Sequence, residues 1–158
     1  MVKTATETAW DVAAAVPDPE LPFIDIAELG ILRNVETDAS GRVTVTITPT
    51  YSGCPAMKAI EDSITQELEK AGYDDVTIDM VFSPAWTTDW MSDEAKRKLE
   101  SHGIAPPATS ETADTAVVRC PKCASGETKM VSVFGSTACK ALMVCSSCGE
   151  PFDHFKSL

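Results

Sequence analysis

Apolar and polar residues alternate most cleanly at Val43, Val45 and Ile47, separated by Thr44 and Thr46 and followed by Thr48. This period of two predicts a half-buried β-strand. Asp38-Ala39-Ser40-Gly41 carries turn residues, and Ile31 and Val35 lie on its other side, so the two runs read as a hairpin. The period then changes. Met57, Ile60, Ile64 and Leu68 recur at helical spacing, with Gly72 where a C-terminal cap belongs. Val76, Ile78 and Met80 alternate again with Thr77, Asp79 and Val81, predicting a third strand laid parallel to the second by a right-handed crossover. Thr4 and Glu7 have capping-box spacing ahead of a helix through Trp10, Ala13, Ala14 and Val16, which Pro17 and Pro19 stop. Asp18-Pro19-Glu20 then turns into an apolar connection over 21–29. Ser92 can cap a last helix running to about His102 before Gly103. The expected fold is α+β: a small αββαβα two-layer sandwich over residues 1–104.

Composition divides the chain. Residues 105–115 are rich in Pro, Thr, Ala and Ser and read as a linker, leaving 116–158 as a second module. Residues 1–115 carry 8 basic against 21 acidic side chains, whereas 116–158 carry 5 against 3. Five of the six cysteines fall between Cys120 and Cys148. The net charge of -11 repels phosphate backbones and anionic lipid, so neither nucleic acid nor a membrane is an expected partner. The longest apolar run near the start, 12–16, follows acidic residues, so a signal peptide and a bilayer span are not expected and a cytoplasmic location is.

The strongest chemical signal is Cys120-Pro121-Lys122-Cys123 paired with Cys145-Ser146-Ser147-Cys148. Two such knuckles can set four thiolates tetrahedrally around one ion, giving a zinc-ribbon-like metal-binding module that needs little apolar core. Structural zinc is the expectation, with iron or a cluster as the alternative that thiolate ligands alone do not separate from it. Cys139 is one thiol too many for that centre and reads as a small buried residue or as a second, exchangeable metal ligand; His154 reads as packing at the terminus, with ligation as the alternative. Cys54, in Gly53-Cys54-Pro55, would cap the helix that carries Met57 to Leu68, where the positive helix end favours a thiolate. It reads either as an inert cysteine or as a reactive or metal-ligating one. Asp18 and Glu20, stiffened by prolines, could serve a cation or a partner or simply be solvated. Trp86 and Trp90 read equally as a partner surface or as a seal over the sheet edge.

In combination, DPELP at 18–22, DIAELGI at 25–31 and TPTYSGCP at 48–55 resemble the iron-sulfur assembly domain of SufT-like proteins. Together with PAWTTDWMS at 84–92 and FGSTACKALMVCSSCGEPFDHFK at 134–156, the whole is similar to the PaaD (PaaJ) family, small accessory proteins of the bacterial phenylacetyl-CoA epoxidase system of aerobic phenylacetate degradation. The resemblance implies a non-catalytic maturation role, assisting iron-sulfur cluster insertion into the reductase component of the epoxidase. It implies that Cys54 corresponds to the family's cysteine, that Asp18 and Glu20 correspond to its acidic turn, and that a cluster or iron is held there transiently. Cys54 acting alone and Cys54 acting across a homodimer interface both stay open. Two other functions compete: an enzyme using Cys54 as nucleophile, for which no base is evident, and a protein or nucleic-acid adaptor using the ribbon.

Overall fold

The computed structural model describes residues 5–158. The expected capping box includes Thr4 and so lies outside the described residues. The chain forms two compact units, residues 1–86 and 87–158.

In the first unit, helix α1 (Ala5–Ala14) is followed by a buried turn and strands β1 (Leu32–Thr37) and β2 (Val43–Ile47), then helix α2 (Ala56–Lys70) and strand β3 (Val76–Met80). The sheet order is β1-β2-β3. β1 and β2 pair antiparallel, and β2 and β3 pair parallel, with Val45 opposite Ile78. The hairpin closes because the Asp38 carboxylate accepts from the amides of Ser40 and Arg42. β2 buries Val43, Val45 and Ile47, and α2 lays Met57, Ile60, Ile64 and Leu68 into the core. These are the positions the two periodicities select. Trp86 is buried and its indole N–H donates to the Leu29 carbonyl at 2.9 Å. Of the two readings open for Trp86, it therefore seals the core of this unit.

The second unit contains a short 3₁₀ turn (Thr88–Trp90), helix α3 (Asp93–Ser101), and strands β4 (Ile104–Ala105), β5 (Thr128–Ser132), β6 (Lys140–Cys145) and β7 (Pro151–Phe155). Their sheet order is β4-β7-β6-β5. Ser92 caps α3, its hydroxyl accepting from the Ala95 amide at 3.0 Å. The contact-defined units divide the chain elsewhere than the expected boundaries at 104 and 116. α3, expected as the last element of the sandwich, falls in the second unit, and its buried stripe is only Ala95 and Leu99. Residues 105–115, expected as a linker, begin inside a sheet: Ala105 is buried and lies opposite His154 in the parallel β4–β7 pair. Among the described residues no helix is long and apolar enough to cross a membrane.

Candidate functional site

Two backbone knuckles of one design set the four ribbon thiols. In the first, the Ala124 amide donates to the Cys120 carbonyl at 2.8 Å and the Cys120 amide to the Ser125 carbonyl at 2.9 Å. In the second, Gly149 donates to the Cys145 carbonyl at 2.9 Å and Cys145 to the Glu150 carbonyl at 2.9 Å. The fifth residue of each has a left-handed backbone, φ +61° at Ala124 and +77° at Gly149. Such a turn folds each Cys-x-x-Cys so that both sulfurs face the same point. Lys122 and Glu150, 2.6 Å apart, and the hydroxyls of Ser125 and Ser147, 2.8 Å apart, join the knuckles.

The four Sγ atoms all lie within 4.8 Å of one another. Cys120 and Cys148 are 3.8 Å apart, Cys123 and Cys145 3.6 Å. A tetrahedron of sulfurs bonded at about 2.3 Å to a central ion has edges of about 3.8 Å, so the spacing fits one four-coordinate metal. The thiols do not ionise alike. At Cys145 the backbone amide of Cys148 leads in bringing the thiol down to about 7. At Cys123 the Ser125 amide pulls down, but the neighbouring Cys148 thiol, desolvation and the other two thiols push it up to about 12. Four thiolates in so small a space require a cation among them. Cys120 and Cys145 are buried while Cys123 and Cys148 are exposed, so one side of the centre meets solvent.

The remaining candidates in this unit stand apart. Cys139 is buried with its sulfur 3.0 Å from the Thr137 hydroxyl, outside the four-thiol group. His154 directs Nδ1 at the Ala105 carbonyl, 3.2 Å away. Burial outweighs that bond and holds the imidazole below its usual range, hence neutral near pH 7.

In the first unit, Pro55 rather than Cys54 occupies the N-cap of α2. Pro55 itself already has helical dihedrals, φ -69° and ψ -20°, and Cys54 directly before it is half-buried, its carbonyl accepting from the Met57 amide at 3.3 Å. The helix start has no side-chain cap. Asp18 is buried, and its Oδ1 accepts from the amides of Glu20 and Leu21, both at 2.8 Å. One carboxylate oxygen is thus committed to shaping the turn. Cys54, Asp18 and Glu20 do not converge as a set of three ligand atoms; among the described residues the four ribbon cysteines form the one such group. The hydroxyl-rich approach to Cys54, which from sequence could serve a bound anion or cluster or satisfy its own turn, lines a hollow of about 290 Å³ where Thr48, Thr50 and Ser52 face Phe82 and Trp86.

A family model described as the iron-sulfur cluster assembly protein matches residues 7–80, and one described as the PaaD zinc beta ribbon domain matches residues 104–156. A putative 1,2-phenylacetyl-CoA epoxidase subunit of Escherichia coli is 45% identical over 151 residues, which is 94% of this chain and 91% of that protein. The chain belongs to the PaaD family. Its first unit has relatives of its own. The Fe-S protein maturation auxiliary factor SufT of Staphylococcus aureus is 43% identical over 85 residues, covering 53% of this chain and 96% of that one. The crystal structure of a domain of unknown function from Bacillus anthracis superposes with a TM-score of 0.56 at 29% identity, covering 60% of this chain and 91% of its own. The PaaD chain therefore joins an α+β assembly domain to a zinc-ribbon-type four-cysteine centre, and the expected family and fold class both hold.

Proposed function

We propose that the chain is a non-catalytic helper that assists iron-sulfur cluster insertion into the reductase component of a phenylacetyl-CoA epoxidase, acting in the cytoplasm. The observation that carries this reading is the division of labour among the thiols. Four of them converge to suit one ion, whereas half-buried Cys54 belongs to no group of three or more ligand atoms among the described residues. A single soft donor cannot enclose a cluster, which takes four thiolates. It can hold one jointly with the recipient or with a second copy of the chain, and a shared cluster is one that can be passed on. The names of the relatives, an epoxidase subunit and Fe-S maturation factors, point the same way.

In this reading Cys120, Cys123, Cys145 and Cys148 hold a structural zinc that fixes the ribbon, and Cys54 is the cluster-handling thiol. Asp18 and Glu20 shape the acidic turn that orients the recipient, since hard oxygen donors suit a soft centre poorly. The test is anaerobic purification with iron, zinc and sulfide analysis, followed by mixing with the apo reductase component. Wild type should raise the cluster content of the reductase faster than free iron and sulfide do, and Cys54→Ser should abolish that gain while keeping its zinc. A Cys54→Ser protein that matures the reductase at the wild-type rate overturns the role of this thiol.

A further inference from the structure

We propose that the free edge of the ribbon sheet, β5, is a docking strand for an extended apolar segment of a partner protein flanked by carboxylates. β5 ends the sheet, so its outer backbone groups have no neighbouring strand. Met130, Val131, Val133 and Phe134 are 53%, 59%, 55% and 63% exposed, and they are half of the large apolar side chains exposed among the described residues. Met130 and Val131 lie in the edge strand and Val133 and Phe134 directly follow it, so four such side chains in five consecutive positions form a patch rather than scattered exposure. The patch continues onto the sheet face as a shallow groove of about 440 Å³ lined by Phe134, Leu142, Pro151 and Phe152. The register with β6 shifts between Met130 and Ser132, and such a bulge turns side chains away from the regular alternation.

Edge strands are ordinarily blunted by a lysine and a bulge, and both are here. Neither covers the apolar side chains. The charges indicate what does. Lys129 stands at the start of the patch with no ion-pair partner among the described residues. Lys156 stands at its other end, its ammonium donating to the Val133 carbonyl at 3.0 Å and lying 5.1 Å from the centre of the Phe134 ring, with no ion-pair partner among the described residues. Two cations bracketing an apolar edge match a strand with apolar residues in the middle and acidic ones at its ends, the mode in which a peptide adds to a sheet. A second copy fits less well. Antiparallel pairing of two β5 strands about Val131 sets Lys129 against Val133, and each copy brings a charge of -11.

The proposal takes its partner from the reading above, so the probe is the assembled epoxidase complex, titrated against the full-length chain. Val131→Thr with Phe134→Ser should weaken binding at least tenfold. Lys129→Glu with Lys156→Glu should weaken it at least tenfold at low salt and flatten its salt dependence. Zinc content and hydrogen exchange in β6 and β7 equal to wild type show that the edge variants are folded. If wild type binds and both edge variants bind equally well, the docking assignment is overturned while the maturation reading stands. If wild type binds no epoxidase component, the maturation reading fails first. A dimer in sedimentation that the edge variants abolish makes a second copy the occupant and overturns the proposal.

Discussion

Replacing Asp18 separates its structural part from any electrostatic one. Its Oδ1 accepts two backbone amides at 2.8 Å, and one of them belongs to Leu21, which is buried. Hydrogen bonds to a charged acceptor contribute about 1.5–3 kcal/mol each, and a buried donor left unpaired costs about 1–3 kcal/mol. The Glu20 amide lies in a half-exposed residue and can take water in exchange, so only the Leu21 amide incurs the full penalty. Asp18→Ala should therefore destabilise the first unit by about 2–4 kcal/mol. Asp18→Asn keeps an acceptor oxygen in place and should cost about 1 kcal/mol or less. With a urea m-value of about 2 kcal/mol/M, the alanine variant should lose about 1–2 M in midpoint. Hydrogen exchange at Ile24, Ile26 and Ile31, whose amides are bonded in and around this turn, locates the loss in the first unit. An alanine variant within about 0.5 kcal/mol of wild type, or an asparagine variant as unstable as alanine, refutes the argument. If the turn's charge also orients the recipient, Asp18→Asn with Glu20→Gln should slow cluster transfer more than cluster loading.

Strong chelation of the full-length chain should abolish exchange protection in β6 and β7 while leaving α2 and β2 protected; retained protection in the ribbon strands would contradict a structural metal. Ala124→Gly should stabilise the second unit by roughly 0.5–1 kcal/mol, because Ala124 carries a side chain at φ +61° where the equivalent knuckle has Gly149; thermal unfolding at saturating zinc checks it, and a lower midpoint refutes it. His154 is neutral in the folded chain, so below its ordinary value of 6.5 the unfolded state binds the proton first and stability falls with pH. His154→Gln should lessen that slope between about pH 6.5 and 5, measured at constant zinc, and an unchanged slope would exclude His154 as its source.

The periodic elements were legible because each has a full buried face. Three valine and isoleucine positions define β2, and four apolar residues over three turns define α2. The Cys-x-x-Cys pairs were legible because metal geometry leaves little freedom in their spacing. α3 was legible as a helix but not in its membership, since a stripe of Ala95 and Leu99 does not say which core covers it. β4 was hidden because two residues have no period, and the prolines after it look like a tether. The start of α2 was legible to within a residue, because proline's restricted φ suits the first helical turn and Pro55 takes up helical dihedrals there. Asp18 could not be assigned from sequence, because a carboxylate that closes a turn and one that faces a partner occupy the same Asp-Pro context.

The pairing of Ile104 and Ala105 with β7 decides where the ribbon can be cut. A fragment starting at residue 116 keeps all four metal ligands yet strips β4 from β7, so the five-residue β7 replaces the two-residue β4 as an edge of that sheet. It also removes Ala105 from the small core it shares with Cys120, Met143, Cys145 and Phe152. Such a fragment should bind zinc and still aggregate, whereas one beginning ahead of Ile104 should stay dispersed. A gene fusion that borrows this ribbon must therefore carry the proline-rich stretch with it.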